Sequence, residues 1–229
     1  MKKFAVIVAG GMGMRMGTEV PKQFLLLNEH PVLWYTLETF LQAYEDMQVV
    51  LVVPAGHRDD AKALVDGCSD KGRVRIVDGG DTRFHSVRNG LESIRKGVGE
   101  GTDAIIFVHD GVRCLASSDL IRRCYEQAVE LGSAVPVADC RDSVRLVEDE
   151  GGSKPIDRSR IKLVQTPQTF RGDILMGAYL QDHQEAFTDE ATVVEVGGGR
   201  VHLIEGEATN IKITNPTDMA IAQVLLARH

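Results

Sequence analysis

The feature that most constrains this chain is an alternation of short apolar runs with amphipathic helical patterns. Five of these runs have the composition of buried strands: Phe4–Ala9, Gln48–Val53, Val74–Val77, Ala104–Val108 and Ala134–Val137. They are almost continuously apolar, as are strands that helices cover on both faces. The order predicts an α/β sandwich with a mostly parallel sheet. Because right-handed crossovers bring the carboxyl ends of parallel strands to one edge, we expect a ligand site there.

Helical patterns lie between and after these runs. We predict helices over Pro31–Tyr44, Arg83–Ile94, Ser118–Leu131, Gly172–Gln181 and Asp189–Val196, a further strand near Val201–Ile204, and a last helix from Pro216. Ser117 or Ser118 is the expected N-cap of the third helix. Asn215 is the expected N-cap of the last helix, with proline at its first position.

Residues 139–164 interrupt the alternation. Asp139–Glu150 mixes charged and apolar residues, Gly151-Gly152-Ser153 marks a turn, and Arg160–Gln165 is a second extended run. This pattern predicts a β-hairpin arm. A two-stranded ribbon is marginally stable alone, so we expect it to lean on another element, such as a second subunit. Without repeats or linkers, the chain is expected to form one domain over 1–229 with the arm 139–164 inserted.

Composition excludes several classes of protein. The net charge is −7 and the chain lacks a long basic stripe, which argues against a nucleic-acid partner. The apolar runs are far shorter than the roughly 20 residues that cross a membrane, and Phe4–Ala9 is too short for a secretory signal. Four scattered cysteines indicate free thiols in a reducing cytoplasm. Histidine spacing indicates no zinc site.

The first loop, Ala9-Gly10-Gly11-Met12-Gly13-Met14-Arg15-Met16-Gly17, directly follows the first strand. Glycines there let backbone N–H groups approach phosphates. The loop lacks the Gly-Lys-Ser/Thr ending of a P-loop, and Met16 stands where a dinucleotide fingerprint needs glycine. Lys22 follows Pro21 and can face the same phosphates as Arg15. The alternative interpretations are that the glycine-rich loop is only a tight turn and that Lys22 is only a solvated surface charge.

Six segments, taken in order, resemble one family. They are Ala9-Gly10-Gly11-x-Gly13-x-Arg15-Met16 with Pro21-Lys22-Gln23, Gly79-Gly80-Asp81-Thr82-Arg83-Phe84-His85-Ser86-Val87, His109-Asp110-Gly111-Val112-Arg113, Gln165-Thr166-Pro167-Gln168, Thr188-Asp189-Glu190-Ala191 and Asn210-Ile211-Lys212-Ile213-Thr214. Together they are similar to the 2-C-methyl-D-erythritol 4-phosphate cytidylyltransferases, over nearly the whole chain. The resemblance implies a three-layer, Rossmann-like nucleotidyltransferase sandwich, and a cytoplasmic enzyme of non-mevalonate isoprenoid biosynthesis.

The resemblance also implies a reaction and its residues. CTP and methylerythritol 4-phosphate give the CDP-methylerythritol product and pyrophosphate, with Mg²⁺, in a homodimer whose arms reach the neighbouring site. The catalytic set is Arg15, Lys22, Arg158 and Lys212. The CTP-binding set is Ala9, Gly10, Gly11, Gly13, Gly79, Gly80, Asp81, Ser86 and Gly111. The set that binds the second substrate is Asp110, Arg113, Ser143, Thr166 and Thr188. Ser143 and Arg158 would contribute to the site of the neighbouring subunit. The metal ligands stay unknown.

Several alternatives stay open. Arg160 could replace Arg158 in the arm, Arg113 could simply pair with Asp110, and Thr188 could be only a helix cap. His109, at the end of a buried strand, is expected to be a core residue. Three positions depart from the family pattern: Cys114 stands for proline, Gly111 for alanine, and Ser143 for threonine.

Two rival functions remain. A sister enzyme acting on ribitol 5-phosphate would carry nearly the same catalytic segments. A non-catalytic nucleotide-binding module could share the fold, since fold alone does not determine function. Such a module would not need Arg15, Lys22 and Lys212, and all three are present.

Overall fold

The computed structural model describes residues 1–11, 17, 20–98, 103–149 and 151–227. The strands are β1 Lys2–Val8, β2 Leu26–Leu27, β3 His30–Pro31, β4 Met47–Val53, β5 Val74–Asp78, β6 Ala104–Asp110, β7 Ser133–Asp139, β8 Val144–Val147, β9 Ser153–Ile156, β10 Lys162–Val164, β11 Gln168–Arg171 and β12 Leu203–Glu205. The helices are α1 Val32–Ala43, α2 Arg58–Asp66, α3 Arg83–Val98, α4 Ser118–Leu131, α5 Gly172–Ala178, α6 Glu190–Val196 and α7 Pro216–Leu226.

The main sheet has the order β10-β7-β11-β6-β1-β4-β5, and β12 pairs with β7. Strand β1 runs parallel to β4 and β6, and β4 runs parallel to β5. Strand β11 is antiparallel to both of its neighbours, and β10 is antiparallel to β7. The predicted mostly parallel sheet is therefore confirmed.

Side chains alternate across the sheet, so the two faces build separate cores. In β1, Ala5 and Ile7 belong to the core beneath α1, α2 and α4. Phe4 and Val6 belong to the core beneath α3, α5 and α6. Helices thus cover both faces, and the predicted three-layer nucleotidyltransferase sandwich is confirmed.

Capping residues in the sequence predicted the ends of two helices correctly. Helix α4 has the predicted bounds, and the Ser117 hydroxyl accepts a hydrogen bond from the backbone of Leu120 as its N-cap. Helix α7 begins at Pro216 behind Asn215, which forms a capping box with Asp218.

Two elements of the main sandwich were not predicted, in addition to the two-residue strands β2 and β3 outside it. Helix α2 is rich in charge and buries only Ala61, Leu64 and Val65. Strand β11 is four residues long and includes the polar Gln168 and Thr169, yet it lies inside the sheet between β6 and β7. Neither element has the long apolar pattern on which the sequence interpretation relied.

The hairpin arm is confirmed, but its predicted second strand is wrong. Strand β8 pairs antiparallel with β9, Ser153–Ile156, rather than with Arg160–Gln165. Gly151 and Gly152 adopt φ of 83° and 108°, so the chain reverses there and Ser153 pairs directly with Val147. The run at 160–165 contributes β10, which pairs with β7 in the main sheet.

None of the helices in the described ranges is long and apolar enough to cross a membrane.

Candidate active site

The carboxyl ends of β1, β4, β5 and β6 lie at one edge of the sheet. Backbone hydrogen bonds continue past the strand ends: the N–H of Ala9 donates to Val52, that of Gly79 to Val53, and that of Gly111 to Val8, at 2.8–2.9 Å. The loops after β1, β5 and β6 therefore begin side by side. This is the edge at which open α/β sheets bind ligands.

The loop after β5 packs tightly against the start of α3. A Cβ atom at Gly80 would stand 2.4 Å from the Cβ of His85, and one at Gly79 would stand 3.1 Å from the Ser86 hydroxyl. That hydroxyl accepts the N–H of Gly80 at 3.1 Å. Close packing therefore requires glycine at position 80, whereas a Cβ atom at position 79 would press on the Ser86 hydroxyl. Asp81, the next residue, is exposed.

Lys22 lies beside the loop after β1. It belongs to a short 3₁₀ turn, Lys22–Phe24, its residue is only 8% exposed, and its Nζ donates to the carbonyl oxygen of Ile213 at 2.9 Å. A Cβ atom at Gly11 would lie 3.8 Å from the Lys22 Cε. The neighbouring Gln23 holds the loop by donating to the Ala9 carbonyl at 2.8 Å. Gly13 and Arg15 lie outside the described residues.

Asp110, at the end of β6, is surrounded by three cations. Lys212 Nζ lies 2.9 Å from its Oδ2, Arg113 Nε lies 3.6 Å from the same oxygen, and Arg83 Nε lies 3.5 Å from Oδ1. The Lys212 side chain is 44% exposed, whereas that of Asp110 is only 10% exposed. The cluster therefore has a buried acidic centre and a cation that faces solvent.

The electrostatics of the cluster favour its charged form. Burial alone would raise the pKa of Asp110, but Arg83, Lys212 and Arg113 outweigh it and hold that pKa well below its usual range. Burial lowers the pKa of Arg113, and Asp110 opposes this change. An arginine stays protonated even so. Asp110 and the three cations around it together thus carry a net positive charge.

His109 links the cluster to Thr166. The Asp110 backbone N–H donates to Thr166 Oγ1 at 3.1 Å. Because the Arg113 carbonyl beside His109 Nε2 can only accept, Nδ1 is the unprotonated nitrogen and accepts the hydrogen of the Thr166 hydroxyl, also at 3.1 Å. Nε2 of His109 then carries the ring proton and donates to the Arg113 carbonyl at 3.1 Å. Burial lowers the pKa of His109 to about 4, so the ring is neutral. His109 is the core residue that was expected.

Asn210 completes the back of this edge. The side-chain Nδ2 of Asn210 donates to the Thr166 backbone carbonyl at 2.9 Å. The backbone carbonyl of Asn210 accepts from Arg113 Nη1 at 2.8 Å. Within the described residues, three buried side-chain atoms have no hydrogen-bond partner: Gln23 Oε1, Arg113 Nε and Asn210 Oδ1. All three belong to residues that hold the loops of this edge. Unsatisfied buried polar groups are rare and are typical of binding sites.

Most of the described candidate residues gather at this edge. They are Ala9, Gly10, Gly11, Lys22, Gly79, Gly80, Asp81, Ser86, Asp110, Gly111, Arg113, Thr166 and Lys212. Arg113 does contact Asp110, as the plainer reading held. Thr188 is exposed just before α6. The cap of α6 is Asp189, whose side chain accepts from the Thr192 N–H, so the reading of Thr188 as a helix cap is wrong.

In the described residues no hydrogen bond or ion pair joins Ser143, Arg158 or Arg160 to the Asp110 cluster, although Arg141 and Asp142 at the base of the arm line a cavity with Arg113 and Lys212. Ser143 is exposed just before β8. Arg158 and Arg160 share a 3₁₀ turn behind β9, and Arg158 Nη1 donates to the Arg141 carbonyl at 2.7 Å. Both arginines are exposed.

Sequence interpretation missed the role of Arg83 and Glu190. Arg83 donates to both carboxylate oxygens of Glu190, at 2.5 and 3.0 Å, while its Nε faces Asp110. Both residues stand in segments that carry the resemblance, which was the available signal. The acidic start of α6 was interpreted only as a helix terminus, because a sequence does not reveal that the Glu190 side chain is buried.

A mostly parallel three-layer sandwich with close-packed glycines and clustered cations at the strand ends is the arrangement expected of a nucleotidyltransferase. The model of the family described as 2-C-methyl-D-erythritol 4-phosphate cytidylyltransferase (IspD) matches residues 4–228. The chain belongs to this family.

Individual relatives agree over their full length. The chain is 45% identical to the Bacteroides fragilis 2-C-methyl-D-erythritol 4-phosphate cytidylyltransferase, covering 99% of this chain and 100% of that protein. It is 37% identical to the enzyme of the same name from Clostridium botulinum, covering 98% and 99%. The crystal structure of the Thermus thermophilus enzyme of that name superposes with a TM-score of 0.75 at 31% identity and covers 100% of both chains.

Proposed function

We propose that this chain transfers the cytidylyl group of CTP to 2-C-methyl-D-erythritol 4-phosphate and releases pyrophosphate. The observation that carries the proposal is the group of cations around Asp110 at the strand edge, in a chain of this family. Such a reaction requires two polyanions to bind side by side. Cations beside exposed backbone N–H groups reduce the electrostatic repulsion between them.

The chemistry needs positioning more than proton transfer. A phosphate oxygen of the polyol phosphate attacks the α-phosphorus of CTP, and the bond from that phosphorus to the bridging oxygen breaks, so pyrophosphate leaves with the electron pair. Because the nucleophile is already an anion, no general base is required. Catalysis then comes from orientation and from stabilising the charge that develops on the α-phosphate.

On the CTP side, the loop from Ala9 to Gly11 would face the triphosphate, and Lys22 would stabilise the transition state. Lys22 is suited to this role because burial and the Ile213 carbonyl hold its ammonium group in one position. Arg15 and Gly13 would act with it, as the resemblance implies. Gly79, Gly80, Asp81 and Ser86 would hold the cytidine, with Gly111 contacting the ribose through its backbone.

On the polyol side, Lys212 would bind the phosphate of the acceptor. One of its three N–H donors is directed at Asp110, and its exposed ammonium group leaves the others available. Arg113, Thr166 and Thr188 would complete this subsite.

A divalent cation would be held mainly by phosphate oxygens and water. Within the described residues, no three side chains of His, Cys, Asp or Glu form a group that could hold a metal ion. This fits Mg²⁺, which binds nucleotides through few protein ligands. When bound, it would neutralise charge on the triphosphate oxygens.

The arm supports a homodimer. On β8 of the arm, Val147 is 76% and Leu146 46% exposed. Leu163 and Leu203, on β10 and β12 beside β7, are 52% and 53% exposed. A thin ribbon with exposed apolar side chains gains stability by packing against a second subunit. Ser143 and Arg158, or Arg160, would then serve the neighbour's site. We expect the chain, arm included, to form one domain and to work in the cytoplasm, where its free thiols stay reduced.

A panel of acceptors tests the proposal. The purified protein would be incubated with CTP, Mg²⁺ and either methylerythritol 4-phosphate or ribitol 5-phosphate, and the CDP-polyol and pyrophosphate would be quantified. We expect a kcat/KM at least tenfold higher with methylerythritol 4-phosphate. Faster turnover of ribitol 5-phosphate would reject the proposed acceptor, and no turnover of either would favour a nucleotide-binding module.

A further inference from the structure

A buried carboxylate lies behind the cation cluster, and the proposed chemistry does not use it. Glu190 is the first residue of α6 and is fully buried. Both of its oxygens accept hydrogen bonds from Arg83, and Tyr179 donates to Oε1 at 3.1 Å. A buried charge with this many partners is costly to form, and such groups often have a role beyond stability.

Arg83 connects this carboxylate to the site. Its two Nη atoms are directed at Glu190, and its Nε lies 3.5 Å from Asp110 Oδ1. The guanidinium is therefore divided between two carboxylates. The other Asp110 oxygen, Oδ2, lies 2.9 Å from Lys212 Nζ and 3.6 Å from Arg113 Nε, so Lys212 is its nearer cation. The order of contacts runs from the buried Glu190 through Arg83 and Asp110 to the solvent-facing Lys212.

We propose that Glu190 is a positioning residue, which holds Arg83 back from Asp110 so that the Asp110 carboxylate can hold Lys212 ready for the acceptor phosphate. This inference rests on the proposed function, because it assigns Lys212 to the polyol subsite. Without the Glu190 charge, Arg83 turns both Nη atoms to Asp110 and competes with Lys212. Lys212 then loses its fixed position.

The loop that would hold cytidine is less affected. Although Arg83 follows this loop, the loop has its own hydrogen bonds, from Gly79 to Val53 and from Gly80 to the Ser86 hydroxyl. Loss of Glu190 is therefore expected to weaken the binding of one substrate and not the other.

The test compares Glu190→Gln and Arg83→Lys with a matched control. Glutamine keeps the volume of Glu190 but places an N–H₂ group against the donors of Arg83. Lysine keeps the charge at position 83 but lacks the fork that could turn two nitrogens toward Asp110, so Arg83→Lys should leave Asp110 to hold Lys212. The control is Glu38→Gln: Glu38 is 5% exposed on α1, across the sheet from α6, and accepts the Ser69 N–H at 2.6 Å.

Steady-state kinetics give the first readout. We expect the KM for methylerythritol 4-phosphate to rise about tenfold in Glu190→Gln and to stay within about twofold of wild type in Arg83→Lys, with the KM for CTP within about twofold of wild type in both. The control is expected to lower the melting temperature and leave both KM values unchanged. A fall in melting temperature alone, or a rise confined to the KM for CTP, would overturn the inference. If Glu190→Gln fails to fold, Glu190→Asp, which keeps the charge but draws it back from Arg83, takes its place with the same expected direction.

A second readout does not need activity. The rate at which limiting acetic anhydride acetylates Lys212, followed by peptide mass spectrometry, reports how firmly Asp110 holds the amine. We expect acetylation to be several-fold faster in Glu190→Gln than in wild type, Arg83→Lys and the control, and an unchanged rate in Glu190→Gln would reject the inference. Should the wild-type protein transfer no cytidylyl group, the proposed function fails while this measurement still decides the role of Glu190.

Discussion

A cation about 4 Å from a phosphate contributes about 4 kcal/mol at an effective dielectric constant near 20. A surface carboxylate roughly 20 Å away contributes only about 0.2 kcal/mol in water, and salt screens it further. The net charge of −7 therefore does not oppose the binding of phosphates at a local group of cations. At the scale of residues, we therefore expect Lys22, Arg113 and Lys212 to influence phosphate binding more than the net charge of the whole chain does.

Lys22 provides the sharpest test among these cations. We predict that Lys22→Ala lowers kcat by about 10²–10³-fold, as loss of a transition-state donor typically does, while CTP binding weakens less. Steady-state assays and calorimetric titration with CTP measure the two effects. Lys71→Ala is the control, because Lys71 pairs with Asp66 at the surface, away from the candidate site. A kcat equal to that of wild type in Lys22→Ala would remove this residue from the mechanism.

His109 predicts an acid-sensitive fold. Its pKa is about 4 in the folded protein and about 6.5 in the unfolded chain, so the unfolded chain binds a proton first as the pH falls. The contribution is fully present above pH 6.5. The free energy of unfolding should decrease between pH 6.5 and 4, by at most about 3 kcal/mol from this group.

Substitution of His109 isolates that effect. Denaturant titrations from pH 7 to pH 4 should show a shallower pH dependence for His109→Gln than for wild type. The control is Phe40→Leu, which alters the packing 5.0 Å from the His109 ring and should lower stability equally at every pH. Identical slopes for wild type and His109→Gln would contradict the buried neutral ring.

At the scale of elements, the loop after β5 depends on glycine for close packing. Gly80→Ala places a Cβ atom 2.4 Å from that of His85 and should displace the loop, raising the KM for CTP by about tenfold or more. Gly56→Ala is the matched control, since a Cβ atom there meets nothing within 4 Å. If both variants bound CTP as wild type does, this loop would not hold the nucleotide.

Elements with strong local signals were predictable, and those defined by distant partners were not. Helix α4 and the Asn215 cap follow from apolar period and capping chemistry. Strand β11 does not, because its position depends on pairing with β6 and β7. Within the run at 160–165, which was predicted to be extended, Lys162–Val164 forms a strand and Arg160 ends a 3₁₀ turn. The alternation of side chains along a strand does not determine which strand it pairs with.

The candidate site divides in the same way. Gly80, Lys22 and Lys212 could be selected because their types and spacing carry a resemblance. The pairing of Arg83 with Glu190 spans 107 positions, and the burial of Glu190 is a property of the packed sandwich. A sequence can therefore identify which residues face a ligand more readily than those that hold them in place.

At the scale of the whole molecule, the arm predicts a dimer. Val147→Glu places a charge on the 76% exposed apolar side chain of β8, so it should convert the dimer to monomers and reduce activity strongly. Leu180→Glu alters a similarly exposed side chain, 79%, away from the arm and should remain dimeric. Sedimentation velocity measures both. A wild-type monomer, or a dimeric Val147→Glu variant, would contradict the proposed arm contact.

The central claim is that the cation cluster at the carboxyl edge of the sheet is where CTP reacts. A crystal structure with CTP and Mg²⁺ tests this most directly. We predict that the triphosphate contacts the backbone of Gly10 and Gly11 and the Lys22 ammonium group, with the α-phosphate facing Lys212. A triphosphate bound elsewhere, such as in the cavity of about 820 Å³ lined by Arg88, Arg95 and Tyr179, would contradict the account.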